Sequence, residues 1–334
     1  MTQGSAFTPP PAPVLSPHAR VAALALVYGL AVPLLKLLEA LGQWPRLYGR
    51  QIVKLTGGFD EYRPTRHDVF ACAYFKSGTT WLLQIGTQIA HRGKADFDNV
   101  HHLVPWPDAP APMGPHLIPL SNKSPQALSP TGLRLIKTHL PLDRVPFAAQ
   151  ARYIALVRDP KDVIVSGYHF VRSLILGPMM PSVEHWAELF LTEDSPAGSW
   201  AAHLDSYWRR RTEPNVLFLT FEAMKWDHRV AIEQIARFMD VDLSQGELDA
   251  VEQQSSFAYM KRNEAKFSAG QVLLWKAPVA GMLRRGNHGG SGELLTPALQ
   301  QRIDDHFRAE LRRLGCDFPY DEAFAAGQPW GAPT

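Results

Sequence analysis

The sequence predicts an α/β protein: a central parallel β-sheet covered by helices on both faces, three layers in all. Four short segments, at 69–74, 133–138, 153–157 and 216–220, read as strands, and the first is a continuous rather than alternating apolar run. That is the pattern of strands buried on both faces. Three of the runs are followed by segments with helical features, and strands that alternate with helices build a parallel sheet. The composition agrees with a packed core. Of 334 residues, 46% are hydrophobic and 20% charged, which excludes a disordered, collagen-like or coiled-coil chain.

Taken in order, residues 1–19 form a Pro-rich tail (Pro9, Pro10, Pro11, Pro13, Pro17) read as disordered. An apolar stretch from Val21 to Leu35 follows, interrupted by Pro33. At this length it is shorter than the roughly 20 residues of a membrane span. It also lacks the basic flank and small-residue cleavage site of a signal peptide. With Leu37, Leu38 and Leu41 it reads as a helix over 20–44 resting on the domain surface, membrane contact through 20–41 being the lesser alternative. Residues 45–325 read as one domain, without internal repeat or linker. Within it, Val69–Tyr74 is a strand, and Trp81, Leu82, Ile85 and Ile89 lie at helical spacing. Residues 105–130 hold eight prolines and read as a long structured loop. Leu133–Thr138 is the second strand. Tyr153–Val157 is the third, with a helix from Pro160 to about Arg172. Val216–Thr220 is the fourth, with a helix near Arg229–Met239.

The net charge is +2, from 34 basic and 32 acidic residues. No global basic field points to nucleic acid, and any anion site is local. Two cysteines, Cys72 and Cys316, exclude a disulfide framework and a cysteine-based zinc site. Two free thiols fit a reducing cytosol, so a cytoplasmic enzyme is expected.

The chemistry starts at Lys76-Ser77-Gly78-Thr79-Thr80-Trp81. A buried strand delivers the chain into a turn with one glycine, and a helix begins at the threonines. N–H groups at such a helix start hold an anion, and Lys76 adds a full charge. The plainer reading is an ordinary strand–helix turn. A nucleotide-kinase loop is longer and carries Gly-Lys-Ser/Thr, a triplet this chain lacks; transfer of a different group from a nucleotide-like donor follows.

Lys76–Trp81 resembles the 5′-phosphosulfate loop of the cytosolic sulfotransferases, which use 3′-phosphoadenosine 5′-phosphosulfate (PAPS). Five further segments resemble that family in the same order. They are Arg134–Pro141 with Lys137, Thr138 and His139; Val157–Phe170 with Arg158 and Ser166; Val216–Met224 with Phe221; Ser255-Ser256-Phe257; and Arg284-Arg285-Gly286. The resemblance spans roughly residues 45–320. It implies the P-loop-like sulfotransferase fold and transfer of a sulfuryl group from PAPS to a hydroxyl or amine, with 3′,5′-ADP (PAP) as product and no metal. The implied catalytic residues are His139, Lys76 and Lys137. The implied donor-binding residues are Lys76, Ser77, Gly78, Thr79, Thr80, Trp81, Arg158, Ser166, Phe221, Ser255, Phe257, Arg284, Arg285 and Gly286.

The physical roles fit. The leaving phosphate oxygen gains charge, and a fixed cation such as Lys76 lowers the barrier. The attacking hydroxyl loses a proton, and His139, expected near neutral pKa, is a suitable base. Lys137 either adds charge there or is simply solvated. Arg158 and Ser166 suit a terminal phosphate, unless Arg158 only pairs with Asp159 or Asp162, of which Asp162 is placed on the helix surface. Trp81 and Phe257 could sandwich an adenine. Arg284 and Arg285 would clamp the 3′-phosphate.

The chain departs from the family in places. Phe75 stands where proline is usual, and Phe221 where tyrosine is usual. Gly289-Gly290-Ser291-Gly292 replaces Gly-Asp-Trp-Lys. The family dimer motif survives only as Thr296 among Gly292, Pro297 and Gln301, so that dimer contact is not expected. The rival readings are a magnesium-dependent P-loop nucleotide kinase and a non-catalytic nucleotide-binding or membrane-associated protein. The acceptor is read as a small apolar molecule, its pocket shaped by the loop at Trp106 and by Phe267, Leu273, Leu274 and Trp275.

Overall fold

Four strands form one parallel sheet in the order β2–β1–β3–β4: β1 (Asp68–Ala73), β2 (Arg134–Thr138), β3 (Arg152–Val157) and β4 (Val216–Thr220). The computed structural model describes residues 15–42, 58–110, 117–192, 195, 197–268, 283, 284, 286, 289–325 and 330. Each strand lies within a residue of its expected place. β1 pairs on both sides, with Cys72 opposite Thr138 and Ala155. The chain goes from β1 to β2 on one side and then crosses to β3 on the other, which leaves the carboxyl ends of all three around one crevice. Ligands bind at such a switch point.

An N-terminal helix, α1 (Pro17–Ala40), precedes the sheet. Those around the sheet are α2 (Thr79–Ala90), α3 (Pro160–Val171), α4 (Val183–Phe190), α5 (Trp200–Trp208), α6 (Phe221–Trp226), α7 (His228–Phe238), α8 (Gln245–Ser255), α9 (Phe257–Arg262) and α10 (Pro297–Leu314). One face of the sheet presents Val69, Ala71, Ile154 and Leu156, which pack with Leu82, Ile85 and Ile89 of α2, Ile232 and Ile235 of α7, and Val251 of α8. The opposite face presents Phe70, Cys72, Tyr153 and Ala155 to Tyr207 of α5. Beyond it, Val163, Trp186, Trp200 and Phe307 of α3, α4, α5 and α10 share a second core. Burial on both faces is why β1 and β3 run almost unbroken in apolar residues, while β2 buries Arg134 and Lys137 only with partners.

The amino end of the sheet is fixed by a buried ion pair at the first register position, Asp68 opposite Arg134. Asp68 Oδ1 accepts from Arg134 Nε at 2.8 Å, and both side chains are fully buried. Asp68 Oδ2 accepts from Tyr62 Oη at 2.6 Å and Thr65 N at 2.7 Å. Arg134 Nη1 donates to the carbonyls of Leu120 and Asn122. Every charged atom is answered, so the pair costs little as built and much when halved. Arg134, which opens the segment carrying His139, is therefore a structural residue.

One expectation at the N-terminus is corrected. The helix begins at Pro17, three residues inside the expected tail, because Ser16 caps it by accepting from Ala19 N at 3.2 Å and Pro17 suits a first helical turn. It continues through Pro33. A π-helical turn at Val27–Ala31 absorbs the missing proline donor, and one helix of 24 residues results. The rest of the expected tail, and most of the stretch between Gly42 and Gly58, lie outside the described residues.

Replacement of Asp68 by alanine should destabilise the protein by about 3–5 kcal/mol, because it strands the Arg134 guanidinium in the core. Urea unfolding measures this directly. A loss under about 1 kcal/mol would show that the pair does not anchor the sheet.

Candidate functional site

At the carboxyl end of β1 the chain turns through Lys76 (φ 64°) and Gly78 (φ 98°) before α2 starts. Gly78 is required twice over: its φ is left-handed, and a Cβ would lie 2.6 Å from the Phe221 ring. Ser77 Oγ and Thr79 Oγ1 are buried and meet no hydrogen-bond partner among the described residues. Two orphaned hydroxyls at a helix start suit the oxygens of a phosphosulfate. Lys76 Nζ stands 4.1 Å over the Phe170 ring, and burial, helped by Arg158, pushes its pKa down to about 7. Thr80 and Trp81 complete the first turn of α2.

His139 follows β2. The register that sets Thr138 beside Cys72 carries the histidine ring to the end of β1, where Nδ1 donates to Ala73 O at 2.6 Å. A carbonyl can only accept, so Nδ1 holds the proton and Nε2 is the basic nitrogen. The His139 backbone N–H donates to Asp108 Oδ2 at 2.8 Å. Burial first, then Lys137, holds the imidazole pKa well below its ordinary value. The expectation of a near-neutral pKa is thus corrected: burial disfavours the imidazolium, and the ring is the free base at physiological pH.

Lys137 is buried in β2, not solvated. Its Nζ lies 3.2 Å over the Trp106 ring, and burial pushes its pKa down to about 7. Lys76 depresses Lys137, and both depress His139. The structure brings the three expected catalytic side chains together.

Of the neighbours, Trp106 was expected at the pocket, whereas Asp108, His101 and His203 were not legible as site residues. Asp108 is fully buried, with its carboxyl pKa raised by desolvation. Trp106 meets His139 edge-on at 5.3 Å and stacks on His101 at 5.7 Å. The Pro-rich loop is held here because Lys137 N donates to Pro105 O at 2.8 Å. His203 of α5 has its Nε2 buried without a partner among the described residues, and its field reaches His139. Only the tertiary fold brings it near.

On the other side of the loop, Arg158 follows β3. Its guanidinium lies 4.3 Å over Phe221, donates to Lys76 O at 3.4 Å and pairs with Asp162 Oδ2 at 3.2 Å. Ser166 is half-buried two turns further along α3. The placement of Asp162 on the helix surface is corrected. It is buried, because its carboxylate also accepts from Gly289 N at 2.9 Å and Gly290 N at 3.1 Å. It thereby ties the segment after Gly286 to Arg158. Phe221 forms the floor between Gly78, Arg158 and Trp81, whose ring it meets edge-on at 5.5 Å. Glu222 Oε1 accepts from Asp159 N at 3.1 Å, and burial pushes its carboxyl up to about 8.

The adenine side differs from the expected sandwich. Trp81 Nε1 donates to Ser255 O at 2.9 Å, and its ring lies 5.2 Å from His228, a wall residue the sequence did not disclose. Ser255 is fully buried and its hydroxyl donates to Val251 O at 2.6 Å, so it holds Trp81 from behind. Phe257, 36% exposed, opens α9 and stands where a Cβ on Gly286 (φ 64°) would be 2.3 Å from its ring. Arg284 is half-buried and pairs with Glu293. Arg285 lies outside the described residues, as do Leu273, Leu274 and Trp275. Phe267 is corrected from pocket to core: it is 1% exposed and packs edge-on against Phe97. Thr296 caps α10 by accepting from Leu299 N at 3.3 Å.

Residues 66–315 match the family described as the sulfotransferase domain. The chain is 28% identical to sulfotransferase 1C2 of Oryctolagus cuniculus over 277 residues, covering 80% of this chain and 90% of that protein. It is 35% identical to sulfotransferase 1B1 of Mus musculus over 212 residues, covering 61% and 69%. Among solved structures, it resembles mouse sulfotransferase SULT7A1 complexed with PAP, with a TM-score of 0.59 and 27% identity over 77% of this chain and 88% of that one. Retinol dehydratase in a complex with retinol and PAP shares the fold, with a TM-score of 0.63 and 21% identity over 79% and 86%. With a parallel sheet, a phosphate-type loop at its carboxyl edge and a match covering most of the chain, this protein belongs to the sulfotransferase family and is a PAPS-dependent sulfotransferase.

Proposed function

We propose that the enzyme sulfates a hydroxyl group of a small, largely apolar acceptor in the cytoplasm, with His139 as general base. One observation carries this reading: a buried, neutral imidazole has its Nδ1 proton committed to Ala73 O, so Nε2 is free to accept a proton beside Lys76 and Lys137. The aromatic wall of Trp106, beside His139, and Phe170, beside Lys76, supports an apolar acceptor. The mouse relative's structure with PAP supports the donor. Retinol and androsterone in complexes of a fold neighbour agree with a small-molecule acceptor. Two free thiols, Cys72 and Cys316, agree with a reducing compartment.

PAPS supplies an activated sulfuryl group on a phosphate leaving group. Ser77, Thr79 and the N–H groups at the start of α2 hold its 5′ end, and Trp81, Phe221 and His228 wall the base. Arg158, Ser166 and Arg284 hold the 3′-phosphate, with Arg285 next to Arg284 in sequence. His139 Nε2 takes the acceptor proton. Lys76 and Lys137 stabilise the charge developing on the leaving side and the transferred group. These cations do the work, and turnover needs no added metal.

His139→Ala should cut kcat about 100-fold or more while PAP affinity changes little. Near-normal turnover of the variant would place the base elsewhere. Arg158→Ala should weaken PAP about 10- to 100-fold, one charge-assisted contact, and leave 5′-AMP unchanged. Equal losses for both nucleotides would reduce Arg158 to its pair with Asp162.

The lysines give a pH prediction. With pKa values near 7 in the free protein, both are largely neutral at pH 8. A bound polyanion favours their charged forms and raises those values. Binding of PAP at pH 8 should therefore take up about one to two protons, and affinity should fall as pH rises above 7. Calorimetry in buffers of different ionisation enthalpy reads the uptake; zero uptake would mean that the lysines are already charged.

A further inference from the structure

The N-terminal helix reverses the usual polarity of a helix lying on a soluble domain. Such a helix turns its apolar stripe inward and its polar face to water. In α1, Val27, Leu35 and Glu39 face the domain. Leu26, Leu30, Leu34, Leu37 and Leu41, spaced to form a single stripe, point outward at 50–62% exposure. Mean hydropathy reaches 2.2 over an 18-residue window, of which 11% is buried. The acidic residue of the helix is turned away from this stripe. Glu39 accepts from Ser182 N at 2.6 Å and contacts His185 Nδ1 at 3.0 Å, which docks the helix end against the segment leading into α4.

We propose that α1 is an in-plane membrane anchor: its leucine stripe embeds in the surface of a bilayer carrying anionic lipid, while its other face stays docked on the enzyme. Charge selects this occupant. Lys36, 52% exposed, is already paired with Glu39 at 2.7 Å, so the unmatched basic charge comes from the sequence that follows. The sequence from 40 to 59 then carries Arg46, Arg50 and Lys54, with no aspartate or glutamate. Basic residues that follow an apolar helix in the sequence match an anionic lipid surface. The docked face sets the orientation, because a helix held along the domain by Val27, Leu35 and Glu39 lies along the bilayer rather than across it. The docking point follows α3, the helix that bears Ser166 and Phe170.

Flotation of the full-length chain with phosphatidylcholine–phosphatidylserine vesicles tests the anchor. The wild-type protein should float with the vesicles. A variant carrying Leu26→Gln, Leu30→Gln and Leu34→Gln keeps helix-forming residues on the exposed face. Its vesicle-bound fraction should drop on the order of tenfold or more, with melting temperature and PAP affinity unchanged. Three results would overturn the proposal. The wild type may stay with the soluble fraction, the variant may float equally well, or the wild type may form a dimer that the three substitutions dissolve without any vesicle binding. Protection of the first residues from protease inside sealed vesicles would overturn the in-plane placement by showing a span.

Discussion

The hydrogen bond from His139 Nδ1 to the carbonyl of Ala73 is the contact on which the site depends. It joins the last residue of the central strand to the residue just past its neighbour, and exists because Cys72 stands opposite Thr138 in a parallel ladder. A slip of one residue would turn the ring to the other face of the sheet. The same bond decides the tautomer and hence which nitrogen can accept a proton. Three residues beyond Ala73, Lys76 enters the loop that Gly78 allows to turn. His139 and Lys76 are thus both measured from the end of one strand.

Burial sets the electrostatics. His139, Lys76 and Lys137 would each carry charge more readily in water than here, and removing water from them lowers all three pKa values. A neutral imidazole is a competent base, and two lysines near their midpoint are ready to become cations when a polyanion arrives. The free protein thereby avoids stacking several positive charges in one crevice. Asp108 sits within this group with a raised carboxyl pKa and spends one oxygen on the His139 amide, fixing the chain direction after β2.

Rigidity reaches the nucleotide side by other means. Arg158 is braced by Asp162 and the Phe221 ring, and Asp162 also holds the amides of Gly289 and Gly290. One carboxylate therefore links the third strand's loop to the chain beyond Gly286. Trp81 is held at its indole N–H by the Ser255 carbonyl, and Ser255 in turn is locked by Val251 and His228. Residues that look like ligand contacts in a linear reading become supports for the aromatic surface.

What the sequence determined by itself was the class of fold and the principal chemistry. The strands were legible because burial on both faces favours short runs dominated by apolar residues, a local property. Lys76–Thr80, His139, Arg158 and Ser166 were legible because a phosphate-type loop and its partners occupy short contiguous patterns. The tertiary structure alone decided what depends on distant residues meeting. It buried Lys137 under Trp106, lowered the His139 pKa by removing water, drew Asp162 inward to two glycine amides, and moved Phe267 into the core. It set His203 and His228 beside site residues far away in sequence. It also showed a π-helical turn just before Pro33 within one continuous helix, and which face of that helix meets the domain. Local patterns cannot carry those outcomes, because desolvation and packing are fixed only when separate segments share one space.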